Sequence, residues 1–127
     1  MRNEDKYITD ERLKYNKIGS IKCPALAGQL VYFNNRGFKH ILRKRGITRS
    51  KKQIHIRLGL IGPATHIVSC ASTVDKYRET RSKDDVARFW QISCNHKGKV
   101  GTRVIIRQVK NGNLHFFSVM KGKTKPQ

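Results

Sequence analysis

The chain is poor in acid. Only eight of its 127 residues are Asp or Glu, against 28 Lys and Arg, for a formal net charge of +20. The acids form two islands: Glu4, Asp5, Asp10 and Glu11 near the start, and Asp75, Glu79, Asp84 and Asp85 in the middle. Residues 13–74 and 86–127 contain none. A surface field of one sign repels itself, so soluble domains normally mix the two signs. This imbalance implies a polyanionic partner, and phosphate backbones are the commonest of those.

Other scarcities narrow the class further. Cysteine is limited to Cys23, Cys70 and Cys94, odd in number and widely spaced, with no Cys-x-x-Cys and no paired His. A zinc site is therefore not expected, and Cys94 beside His96 reads as a strand thiol next to a loop histidine. Reduced thiols point to the cytoplasm. No apolar run is long enough to span a membrane: the best, 58–70, is interrupted by Gly62, Pro63 and His66. The first residues are charged and lack a signal-peptide centre. The cations are spread along the chain and not gathered on one amphipathic helix, so no membrane partner is expected. There is no Gly-rich phosphate loop, and no Ser-His-Asp or Cys-His signature in a recognisable context. No cofactor is expected.

What is present suffices for one small domain. Hydrophobic residues make up 37% of the chain, enough to bury a modest core. Residues 10–17 can form a short helix, and 28–33 read as a strand. Asn34 and Asn35 are cap residues for a helix carrying Phe38, Ile41, Leu42 and Arg45, with Gly46 as its stop. A second helix starts near Thr48 or Ser50, carries Ile54, Leu58 and Ile61 on one stripe, and ends at Gly62-Pro63.

The pattern then becomes extended. Residues 66–71 are short and β-branched, 72–85 read as a polar loop, and 88–94 as a strand. Residues 95–99 form a turn. Residues 103–109 are the clearest strand, Asn111-Gly112 signals a hairpin, and 115–120 form the last strand. The expected fold class is α+β, with N-terminal helices packed on one face of a roughly four-stranded antiparallel sheet. The expected organisation is an N-terminal extension or short helix over 1–19, one domain over 20–120 and a basic tail over 121–127.

Alternation in 103–109 places Arg103, Ile105 and Arg107 on one face and Val104, Ile106 and Gln108 on the other. The second set is the better core face, which turns Arg103 and Arg107 outward, where their forked donors suit phosphate. Two solvated surface arginines are the ordinary alternative. In the last strand His115 alternates away from Ser118, so the two share a face only if a bulge intervenes.

The segment 37–46 is the densest in cations. Lys39, His40, Arg43 and Lys44 surround the anchors Phe38, Ile41 and Leu42. Neighbouring cations disfavour protonation of His40, and a neutral imidazole is what a general base requires. A basic helix with an incidental His is the ordinary reading. If RNA is cleaved without a metal, a base, an acid and cationic phosphate holders are needed. With carboxylates confined to two islands, His40, His115, His66, Tyr77 and Lys39 are the proton-transfer candidates, and Ser118 can hydrogen-bond phosphate. Arg81 and Arg88 join Arg43, Lys44 and Arg103 as candidate RNA contacts.

The early Lys39-His40-Ile41-Leu42 helix, the run of strands and the closing His115-Phe116-Phe117-Ser118-Val119 resemble the Barnase–EndoU–colicin–RelE superfamily of small RNases, above all its phage-associated and polymorphic-toxin branch. The resemblance covers about 28–120. It implies a four-stranded antiparallel sheet with helices on one side. It implies a metal-independent endoribonuclease acting as a toxin, held by an antitoxin or immunity protein, here an acidic one. The family's helix His matches His40, and its Ser or Thr in the last strand matches Ser118. The barnase-type carboxylate base has no counterpart, so a His or Lys base fits better. A non-catalytic RNA- or DNA-binding protein is the alternative.

Overall fold

The computed structural model describes residues 6–44, 47–83, 85–93 and 102–120. Helix α1 (Lys6–Asn16) leads into a hairpin of β1 (Ser20–Cys23) and β2 (Gln29–Tyr32). Helix α2 (Asn35–Leu42) follows, then a two-stranded ribbon of β3 (Arg43–Lys44) and β4 (Ile47–Thr48). Helices α3 (Lys51–Leu58) and α4 (Ile61–Cys70) precede four strands in succession: β5 (Lys76–Arg81), β6 (Val86–Ser93), β7 (Arg103–Val109) and β8 (Leu114–Met120).

The fold is α+β, but the sheet is larger and more mixed than expected. Six strands lie in the order β1-β2-β8-β7-β6-β5. The run β5 to β8 is an antiparallel meander, whereas β2 lies parallel to β8, pairing Val31 with Leu114 and Tyr32 with His115. Two of the additional strands carry weak signals. β1 has only four residues, and β5 (Lys-Tyr-Arg-Glu-Thr-Arg) is exposed at every position. An edge strand need not alternate in hydropathy, and charge on it deters pairing with other chains. The segment 72–85, expected as a polar loop, thus holds β5.

A second correction concerns the centre of the chain. Residues 66–71 are not a strand, and Gly62-Pro63 does not end a helix. Gly62-Pro63 and residues 66–70 lie in α4, which buries Ile61, Ala64, Ile67 and Val68 at helical spacing, and Ala71 is its C-cap. Pro63 sits in the first turn, where its missing amide costs no hydrogen bond. The helical break instead falls at Gly59 and Leu60. The expected caps do hold: Asn34 accepts from the amides of Arg36 and Gly37, and Ser50 from that of Gln53. In the β7–β8 hairpin the positive φ falls on Lys110 (54°), not on Asn111 or Gly112. The expected stop at Gly46, the turn at 95–99 and the tail lie outside the described residues.

One apolar cluster organises the domain. Ile92, Val104, Ile106, Phe116 and Val119 from the sheet meet Tyr15, Phe38, Ile41, Leu58 and Val68 from the helices. Helix α4 packs against β1, β7 and β6, and α2 packs against β8. Tyr15 brings α1 into this core, where its hydroxyl donates to the Asn34 carbonyl at 2.7 Å. No helix among the described residues is long and apolar enough to cross a membrane.

Candidate functional site

Strand β7 sorts its side chains as its alternation requires. Val104 and Ile106 are fully buried, whereas Arg103, Ile105 and Arg107 are half-buried on the opposite face. Residues directly paired across strands share a face. That rule adds Phe89, Gln91 and Ser93 of β6, and Lys76 and Arg78 of β5, to the arginine face.

On β8 a bulge resolves the conflict between His115 and Ser118. Ile106 pairs with Phe116 and Ile105 with Ser118, so Phe117 is the extra residue. One inserted residue reverses the alternation that follows it. His115, opposite Arg107, and Ser118, opposite Ile105, therefore both belong to the arginine face, while Phe116 and Val119 remain in the core.

Around that bulge four side chains meet. The Nε–H of Arg107 donates to Nε2 of His115 at 3.0 Å. The Arg107 guanidinium also lies 4.5 Å from the Phe117 ring centre. The His40 ring stacks on Phe117, with centroids 4.3 Å apart and planes 25° from parallel. Burial, then the Arg107 charge and more weakly Arg36, push the His115 pKa down to about 4, against a smaller opposing effect of a hydrogen bond to the Asn113 backbone. His115 is thus neutral near pH 7, and its Nε2 lone pair is engaged by Arg107. Burial and the Arg36 charge also lower the pKa of Arg107.

Helix α2 delivers His40 and Arg36 together. They are four residues apart, so they share one helix face. Asn34 fixes the start of the helix. Gly37 lets it approach β8 closely, because a Cβ there would fall on the Phe116 carbonyl oxygen and 2.7 Å from both the Phe116 ring and the Tyr15 hydroxyl. At the other end Arg49 donates its Nε–H to the His40 carbonyl at 3.3 Å. The sequence reading missed Arg36, Phe117, Phe89 and Arg78. The spacing from His40 signalled Arg36; the other three required the strand register.

The remaining candidates divide. Ser118 is 5% exposed on the arginine face. Arg103 shares that face, and its buried Nε has no hydrogen-bond partner among the described residues. Lys39 is exposed on α2, and Arg43 is exposed where β3 begins. Lys44 has its backbone in β3, and its side chain lies outside the described set. Arg81 and Arg88 are not with Arg107: both lie beside Glu79, at 2.7 and 4.0 Å, on the alternate face. Tyr77 donates to the same carboxylate at 2.9 Å. His66 is exposed on α4, 3.6 Å from the Cys70 sulfur.

The acids follow the same division. Glu79 faces away from Arg107, and Asp85 pairs with Lys110 at 3.0 Å. Asp75 is the acid beside the arginine face, accepting from Ser93 at the end away from His115. Arg36, Arg107 and neutral His115 consequently cluster with no carboxylate partner among the described residues. Like charges held together without a counter-charge create a field that favours an anion. Among the described residues no three His, Cys, Asp or Glu side chains gather as a metal-binding group, and Cys94 and His96 lie outside those residues. Comparison with protein-family profiles, curated proteins and solved structures returns no match.

Proposed function

We propose that the chain is a metal-independent endoribonuclease of the Barnase–EndoU–colicin–RelE type, acting as a toxin on cellular RNA. The observation that carries this reading is the cluster of Arg36, Arg107 and His115, without a carboxylate among the described residues, beside His40 on the bulge of β8. On this reading, β5 to β8 would correspond to the four-stranded sheet that the resemblance implies, and the β1–β2 hairpin would be an addition.

The proposed reaction is attack of the ribose 2′-oxygen on its own phosphorus, forming a 2′,3′-cyclic phosphate and releasing the 5′-oxygen. Arg107 and Arg36 hold the non-bridging oxygens as their charge builds. His40 takes the 2′-hydroxyl proton. The leaving oxygen takes its proton from Lys39 or water. His115 orients Arg107, and the buried Ser118 backs the same face further along β8. An acidic antitoxin or immunity protein would cover this face and relieve its self-repulsion.

One observation favours a different reading. The His115 lone pair that a general base would use already accepts from Arg107, which suits a non-catalytic RNA-binding surface. Incubating purified protein with total RNA in EDTA separates the two. The enzyme reading expects new 2′,3′-cyclic phosphate ends. It also expects a loss of about a hundredfold or more in His40→Ala, with RNA affinity retained. Intact RNA at wild-type concentrations that saturate binding would leave only the binding reading.

A further inference from the structure

We infer that the arginine face carries a nucleobase subsite at Phe89, making the ligand single-stranded RNA with an unstacked base. A depression of about 310 Å³ opens there, lined by Lys76, Arg78, Phe89, Gln91 and Ile105. That volume is at the lower end for small-ligand pockets. It adjoins the phosphate cluster, because Phe89 is the cross-strand partner of Arg107 on β6 and His115 is its partner on β8. A second depression, lined in part by Asn34, Arg36, Asn113 and His115, lies on the other side of Arg107. A phosphate at Arg107 thus has room for a nucleoside on either side.

The lining suits a base more than a phosphate alone. The Arg78 guanidinium lies 4.9 Å from the Phe89 ring centre, and Phe117 meets Phe89 edge-on at 5.5 Å. Bases stack on aromatic rings and on guanidinium planes. Gln91 offers an amide donor and acceptor for a base edge. Lys76 and Arg78 are exposed at the rim, where a flanking phosphate would pass, and none of the described residues lining the depression is a carboxylate. Duplex RNA keeps its bases stacked and presents chiefly phosphates and 2′-hydroxyls, so it could not use Phe89.

The inference rests on phosphate capture by Arg107 but not on cleavage. Its test therefore uses 2′-O-methyl oligonucleotides, which cannot undergo the 2′-hydroxyl reaction. Fluorescence anisotropy at fixed salt would compare a single-stranded pentamer, the same pentamer with one abasic position, and a duplex. We expect Phe89→Ala to weaken the intact single strand about tenfold. Duplex affinity should stay within twofold, and the loss should shrink on the suitably placed abasic strand. Phe89→Tyr keeps a ring and should retain affinity, separating stacking from folding damage. Equal losses on single strand and duplex, or none on either, would overturn the subsite. So would polyglutamate displacing intact and abasic strands equally well, which would mark the face as a docking surface for acidic protein. RNA cleavage that fails while the Phe89 pattern holds would remove the enzyme reading alone.

Discussion

Arg107 donates its Nε–H to Nε2 of His115 across the β7–β8 pair, 3.0 Å away, and thereby assigns the two residues different work. The histidine is held in the tautomer with its proton on Nδ1, toward the Asn113 backbone. The arginine loses one degree of freedom and keeps its terminal nitrogens for a ligand. In the proposed reaction, proton transfer therefore falls to His40 and not to His115, whose Nε2 is already engaged.

Kinetics can separate these roles. His115→Gln should lower cleavage about tenfold through a misplaced Arg107, while the pH–rate profile keeps its shape. His40→Gln should remove one limb of that profile as well as lowering the rate. A wild-type limb that disappears only in His115→Gln would reverse the two assignments.

The buried imidazole also predicts a stability change with pH. In the unfolded chain His115 titrates near 6.5, whereas in the fold it titrates near 4. Between those values the unfolded state binds more protons, so stability falls as pH drops from about 6.5 to about 4. The contribution is on the order of 2 kcal/mol by linkage. Urea denaturation at pH 7 and pH 4.5 should show a smaller acid-induced loss in His115→Gln than in wild type. Equal losses would show that the histidine titrates normally in the fold.

Salt dependence reads the arginine face directly. For five to ten neutralised phosphates on a single strand, log affinity should fall against log salt with a slope of about −4 to −7. Arg107→Ala should make that slope shallower by about 0.7 to 1. Arg81→Ala should change it little, because Arg81 already pairs with Glu79 on the alternate face. If the two variants change the slope alike, charge acts diffusely and the face has no special standing.

The legible parts of this fold are those where local pattern and tertiary role coincide. Strand β7 alternates cleanly between Arg103, Ile105, Arg107 and buried Val104, Ile106, and the register uses that alternation. Asn34 caps α2 because a short acceptor before an apolar stripe has few better places. Residues 66–71 misled because β-branched Ile67 and Val68 favour strands, while their spacing from Ile61 and Ala64 is helical. Strand β5 left no mark because nothing in it is buried. The bulge at Phe117 decides the site, yet it is a property of two strands together: the length of β8 alone cannot say which residue pairs with none.

The closest approach in the site gives the last prediction. Gly37 has ordinary helical backbone, so its requirement is space and not φ. A methyl group there would strike the Phe116 carbonyl, which is main chain of β8, as well as the Phe116 ring and Tyr15 hydroxyl. Main chain held in a sheet cannot yield as a flexible side chain can, so α2 must lift from β8. Gly37→Ala should cost about 3 kcal/mol, despite the higher helix propensity of Ala. Gly62, in the first turn of α4, meets nothing within 4 Å of an added Cβ. Gly62→Ala should therefore be neutral or stabilising by up to about 1 kcal/mol. Because α2 carries Arg36 and His40, any folded Gly37→Ala protein should also lose the His40–Phe117 stack and bind RNA less tightly. Thermal denaturation of both variants, followed by RNA binding at a temperature where each is folded, checks the pair. Gly37→Ala with wild-type stability and wild-type affinity would show that α2 does not dock through this glycine.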